Sequence, residues 1–310
     1  MLLQIFTMTH EFKQNCLKHI AALMLAGAVV GLTACSAKPI QRPSGAKIEE
    51  VTSFNQIAPV VHTLNQQYKP ENVLIVSDID NTLLTNNGGL GGDIWYQWQR
   101  GKLALKPSPE QTVSCLFEDV IGMLYELSPM ALTESQVPGL IKQWQAQGNP
   151  MMLLTSRSPD YRSPTERELN NKGIDASLTA LAPSGEADVT YRELLAREMS
   201  YSRGIMMTTG MHKGDMLAWI LAKTGREFDA IVFIDDSQHN IDNMHERWQH
   251  ESVDMRVFHY THVEAERVET FGQVLNAEQA NDLASDYDQL THTLKAIFPE
   301  RYKEGQCLSK

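Results

Sequence analysis

The sequence predicts an α/β fold, a doubly wound parallel sheet with an inserted, mainly helical cap. Three observations carry it. Short apolar runs recur at Val73–Val76, Met151–Leu154 and Ala230–Ile234, the first and third rich in β-branched residues. Helical patterns lie between them, and each run ends in acidic or hydroxyl residues. Continuous apolar runs suit strands buried on both faces, and strands alternating with helices build parallel sheets.

The 310 residues carry 27 Lys+Arg against 38 Asp+Glu, a formal charge of −11. This balance disfavours a nucleic-acid partner or broad anionic-membrane binding, because phosphate backbones bind basic faces. With 42% hydrophobic and 21% charged residues the chain is globular rather than disordered.

Ile20–Leu32 is uncharged and too short to span a bilayer core, which needs about 20 residues. Lys13 and Lys18 precede it and small residues follow, the order of a secretory leader over residues 1–34. Residues 35–47 read as a tether. Ile48, Val51, Phe54, Ile57, Val61 and Leu64 then recur at helical steps, with Pro59 as the expected break. Val73–Val76 is the first central strand. Residues 84–148 are too long for a crossover and are expected to form the cap, with helical patterns at Leu116–Leu127 and Glu134–Gln147. The core is thus expected to comprise 48–83 and 149–310. Met151–Leu154 is the second strand and Thr165–Lys172 a helix. Ser158–Thr209 is long enough for a smaller excursion. Lys213–Lys223 reads as a helix, Ala230–Ile234 as the third strand and Met255–His259 as a further one. Beyond the leader and Cys35, only Cys115 and Cys307 remain, either as a disulfide or as two free thiols.

In a parallel α/β sheet the carboxyl ends of the strands face the ligand crevice. Asp78, Asp80, Thr155, Asp235 and Asp236 would therefore meet at one place. Two like charges 4 Å apart repel by about 4 kcal/mol at an effective dielectric of 20, so the acids need a cation. Oxygen-only ligands without His or Cys point to Mg²⁺. If each Asp only capped the following helix, one per site would suffice, not pairs.

VLIVSDIDNTLL resembles the first motif of the haloacid dehalogenase superfamily, Asp-x-Asp-x-Thr after an apolar strand. LLTSR is similar to its second motif, Lys213 in HKGDML to its third and IVFIDDS to its fourth, in the right order. The resemblance implies a Mg²⁺-dependent phosphomonoester phosphatase working through an aspartyl phosphate. Asp78 would be the nucleophile and Asp80 the general acid/base. Thr155 and Lys213 would bind phosphate. Asp78, Asp80 (through its carbonyl), Asp235 and Asp236 would bind the metal. Asp80 separates this pattern from members that dehalogenate. A phosphotransferase of the same fold and a non-catalytic lipid-anchored binding module are the alternatives.

Leu32-Thr33-Ala34-Cys35 resembles a bacterial lipobox, which implies lipidation at Cys35. With Ser36 next, it also implies an outer-membrane destination, facing periplasm or exterior. Secreted acid phosphatases of the superfamily share this address, but carry Glu where Asn81 stands and a Gly-Asp-Asn fourth motif. The WYQW stretch (Trp95–Trp98) and FIDDS are closer to a family of outer-membrane-associated, haloacid-dehalogenase-like bacterial proteins. Trp95–Trp98 reads either as an aromatic wall for a leaving group or as cap packing. Gly88–Gly92 is a candidate hinge. Arg157 and Arg162 could reach a second anionic group of the substrate.

Overall fold

The computed structural model describes residues 45–86, 89–303 and 306–307. The expected leader, Cys35, most of the tether and Gly88 lie outside them. Ten strands are described: β1 Ala46–Val51, β2 Val73–Ser77, β3 Leu84–Thr85, β4 Ala131–Leu132, β5 Met151–Thr155, β6 Thr190–Leu194, β7 Glu198–Ser202, β8 Ile205–Met207, β9 Ala230–Asp235 and β10 Asp254–Tyr260. The α-helices are α1 Phe54–Tyr68, α2 Asp93–Gln99, α3 Ile121–Leu127, α4 Val137–Gln147, α5 Arg162–Asn171, α6 Lys213–Thr224, α7 Gln238–Trp248, α8 His262–Phe271 and α9 Ala277–Ile297.

Eight strands form one sheet in the order β1-β10-β9-β2-β5-β8-β7-β6. It is parallel from β1 through β8, with β7 and β6 added antiparallel. Its apolar alternation feeds two cores. Val73 and Ile75 point into one with Ile57 and Leu64 of α1 and Ile141 and Trp144 of α4. Leu74 and Val76 point into the other with Leu217 and Ile220 of α6 and Ile241 and Met244 of α7. The α/β, doubly wound class therefore holds. The chain order reverses between β2 and β9, so a crevice opens at their carboxyl ends.

Two local expectations change, and a third takes a definite form. The helical pattern from Ile48 begins as edge strand β1, paired with β10 from Ala46 onward, so strand pairing starts inside the expected tether. Most β1 side chains are exposed; backbone pairing, which side-chain periodicity does not report, decides its state. Helix α1 starts only where Ser53 closes a capping box with Gln56, and it runs through Pro59 without ending. Pro59 removes one N–H near the helix start, on the exposed face, where water can satisfy the Asn55 carbonyl. The excursion after Ser158 is the β6–β7 hairpin, which widens the sheet.

The segment 84–148 contains two kinds of structure. β3 and β4 pair antiparallel, so the chain leaves at Thr85 and returns at Ala131 through one short ladder. Between them, Trp95, Trp98, Leu116, Val120 and Leu124 pack with Leu275, Ala280 and Leu283. After the ladder, α4 packs on the sheet. Cys115 of the excursion is bonded to Cys307 beyond α9, with Cα atoms 5.4 Å apart. The bridge closes a loop of 192 residues in sequence separation, so chain entropy favours a large stabilisation. Reduction, or Cys115→Ser, is expected to lower the unfolding free energy by about 2–5 kcal/mol. Denaturant midpoints with and without reductant measure it; an unchanged midpoint would show that the bridge stabilises nothing.

Candidate active site

β2, β5 and β9 deliver Asp78, Thr155 and Asp235 to the crevice at their adjacent carboxyl ends. The Asp78 amide donates to the Ile234 carbonyl at 2.9 Å, which fixes the first turn after β2 against β9. Lys213 enters from the first turn of α6. His212 caps that helix, its Nδ1 accepting from the Asp215 amide at 3.1 Å. Gly214 then lets α6 lie close to α7: a Cβ there would sit 2.5 Å from the Asn243 carbonyl oxygen.

Lys213 is fully buried and its ammonium donates to Asp78 Oδ1 and Asp235 Oδ2, each at 2.6 Å. Burial alone would lower the lysine pKa, but Asp235 and Asp78 outweigh it and hold it above its ordinary value. The remaining Asp235 oxygen accepts from the Ser237 amide at 3.0 Å and Asn240 Nδ2 at 2.9 Å. One carboxylate oxygen each from Asp78, Asp235 and Asp236 lies within 4.8 Å of the others. A single lysine cannot balance three acids. Burial, against the pull of Lys213 and with the push of Asp235 and Asp80, raises Asp78 to about 8. Burial and the charges of Asp93 and Asp235 raise Asp236 well above the ordinary carboxylate range.

Asp80 points elsewhere. Arg157 Nε donates to its Oδ2 at 2.8 Å and Nη2 to its Oδ1 at 2.7 Å. Tyr125 of α3 covers the guanidinium, whose carbon lies 4.0 Å from the ring centroid. Asn81, at φ 53°, turns the loop and donates to Asp93 Oδ2 at 3.2 Å. Asp93 opens α2, and burial, then the Asp80 charge, raises it to about 6. The Thr155 hydroxyl oxygen accepts from the Arg157 amide at 3.1 Å. His259 of β10 donates through Nε2 to the Asp236 carbonyl at 3.0 Å.

Asp78, Lys213, Asp235 and Asp236 thus come together, with Thr155 at the neighbouring strand end. The Asp80 carboxylate is held apart by Arg157. Arg162 leaves the crevice and ties strand edges instead, donating to Ser200 Oγ at 2.9 Å and the Ile205 carbonyl at 3.1 Å. Trp95 and Trp98 are at most 1% exposed, so neither offers a ring to a ligand; this part of the aromatic stretch is packing. Asp93 and Tyr125 had no motif to mark them. Nor did Asn240, which stands three residues beyond Ser237 of the fourth motif.

The donor set fits a hard divalent cation. It is all oxygen, it carries more negative charge than Lys213 offsets, and the Asp236 carboxylate has no salt-bridge partner among the described residues. Asp78, Asp235 and Asp236 are the side chains that would hold it.

Among solved structures, a haloacid dehalogenase-like hydrolase from Streptococcus pneumoniae covers 64% of this chain and 97% of its own, at 14% identity and a TM-score of 0.31. At that score the likeness carries no argument. A Chlamydia pneumoniae protein named "Putative outer membrane protein" is 26% identical over 201 residues, 64% of this chain and 71% of that one. No described helix is long and apolar enough to cross a membrane. The family described as "Protein of unknown function (DUF2608)" matches residues 50–299, from the edge strand to the end of the last helix, and the chain belongs to it.

Proposed function

We propose that the protein is a haloacid-dehalogenase-like, Mg²⁺-dependent phosphomonoester phosphatase. The observation that carries this reading is the Asp78–Lys213–Asp235 cluster beside Asp236, at the reversal point of the sheet. Asp78 supplies a carboxylate oxygen that bonds to phosphorus as the ester P–O bond breaks. The leaving alcohol takes its proton from Asp80. Water then attacks the aspartyl phosphate, gives a proton back to Asp80, and the P–O bond to Asp78 breaks. Lys213 uses two of its three N–H donors on carboxylates and has the third for a phosphoryl oxygen. The Thr155 hydroxyl proton has the same use. Bound Mg²⁺ would supply charge neutralisation at the phosphoryl oxygens.

One observation favours a second reading. Both Asp80 oxygens accept from Arg157, so the carboxylate is engaged by the guanidinium and not turned toward a leaving group. A lipid-anchored module that binds phosphate esters without turnover fits the same geometry. Phosphate release from an aryl phosphate separates the two. With full-length protein in detergent, Mg²⁺-dependent release is expected, and Asp78→Asn should lower it at least about a thousandfold, since no covalent intermediate can form. Release that survives Asp78→Asn would sink the nucleophile assignment. No release from any ester panel would favour the binding module.

Asp78 also sets a pH dependence. Its folded-state value near 8 lies above the ordinary 3.8. Without a cation, the folded state therefore holds a proton that the unfolded chain has released. Stability should fall as pH rises through that window. A cation must displace this proton, so Mg²⁺ binding strengthens with pH. The Mg²⁺-induced rise in melting temperature is expected to be larger at pH 8 than at pH 6. An equal rise at both would place the metal elsewhere.

The address is proposed with the chemistry. The leader, Cys35 and the name of the chlamydial relative support a lipid-anchored outer-membrane location. The Cys115–Cys307 bridge suits an oxidising compartment. Radiolabelled palmitate should enter the native chain and not Cys35→Ser; equal labelling would refute the anchor.

A further inference from the structure

Arg157 is built to stay in place without Asp80. Its side chain is 2% exposed, against 18% for Asp80. Nη1 donates to Thr165 Oγ1 at 2.9 Å and Nη2 contacts Met130 Sδ at 3.1 Å. The Tyr125 ring lies across the guanidinium. Three groups besides Asp80 therefore hold the fork, and Asp80 occupies its Nε–Nη2 edge. A guanidinium fork matches any planar or tetrahedral anion that presents two oxygens, carboxylate and phosphate alike. Asp80 is the internal occupant of that position. It sits on a turn, next to Asn81 in the left-handed region, two residues beyond the nucleophile candidate. The Arg157 amide donates to the Thr155 hydroxyl at 3.1 Å and its guanidinium feels the Asp78 charge, so the fork borders the place proposed for the reacting phosphoryl group.

We propose that Arg157 is the subsite for a second anionic group of the substrate, and that this group takes the fork from Asp80. The substrate class is a phosphomonoester whose alcohol carries a carboxylate or a second phosphate close to the ester. Displaced from the fork, the Asp80 carboxylate is free to turn toward the leaving alcohol. This last step rests on the phosphatase reading; the binding step does not. An Arg157 that only positioned Asp80 would give no preference among ligands.

The test is calorimetric titration of full-length protein in detergent with Mg²⁺, using methylphosphonate and phosphonoacetate. The two probes share a phosphonate and differ by one carboxylate. Phosphonoacetate is expected to bind at least tenfold tighter. Arg157→Lys, which keeps the charge and loses the fork, should shrink the ratio to threefold or less. Asp80→Asn should widen it, because the internal competitor loses its charge. Neither probe carries a phosphate ester bond, so the ratio is read without turnover. Equal affinity of the native protein for the two probes, or a ratio indifferent to both Arg157→Lys and Asp80→Asn, would overturn the proposal. The native ratio and Asp80→Asn decide the matter even if Arg157→Lys fails to fold. Failure of the phosphatase reading shows separately, as absence of phosphate release with the binding ratio intact.

Discussion

The buried ammonium of Lys213 is the interaction on which the rest of the crevice depends. It lies at 2.6 Å from both Asp78 and Asp235, with no exposure to water. Burying a charge is costly unless it is paired and hydrogen-bonded, and removing one partner of a buried pair costs about 3–5 kcal/mol. The surrounding elements meet that requirement. α6 is capped by His212 so that its first residue can enter the core, and Gly214 removes the side chain that would hold it off α7. β2 and β9 lie side by side so that their terminal acids share one cation. Burial first, and then the acids left in excess, make Asp78 and Asp236 hold protons more tightly than ordinary carboxylates.

A second layer of organisation lies outside the sheet. The excursion between β3 and β4 shares a core with α9 from the far end of the chain. The Cys115–Cys307 bridge ties the same two segments. Asp93 and Tyr125, both carried by the excursion, reach the strand-end loops through Asn81 and Arg157. Packing between the excursion and α9 thereby bears on how Asp80 and Asn81 are held. Trp95 and Trp98 serve this packing, although their indole N–H groups find no partner among the described residues.

The strands that build the crevice were legible because they are buried on both faces and so read as unbroken apolar runs. Their polar ends were legible because a charged or hydroxyl residue stands out after such a run. β1 was not, because an edge strand with mostly exposed side chains has no apolar signature. The β6–β7 hairpin alternates buried and exposed residues only weakly and read as an unassigned excursion. Pro59 looked like a helix end, but the missing donor falls on the exposed face.

The sequence by itself determined the α/β class, the order of the central strands along the chain, which acids and threonine stand at their ends, and which lysine opens a following helix. These depend on local pattern: apolar runs, caps and short motifs. Tertiary structure alone decided the partners. Arg157 paired with Asp80 rather than standing free, Asp93 and Tyr125 came in from the excursion, Arg162 turned away to β7 and β8, and Cys115 met Cys307 across 192 residues. The reason is physical: pattern reports which face a residue presents, whereas ion pairs, stacks and disulfides depend on distances between segments that the chain brings together only when the whole sheet is closed.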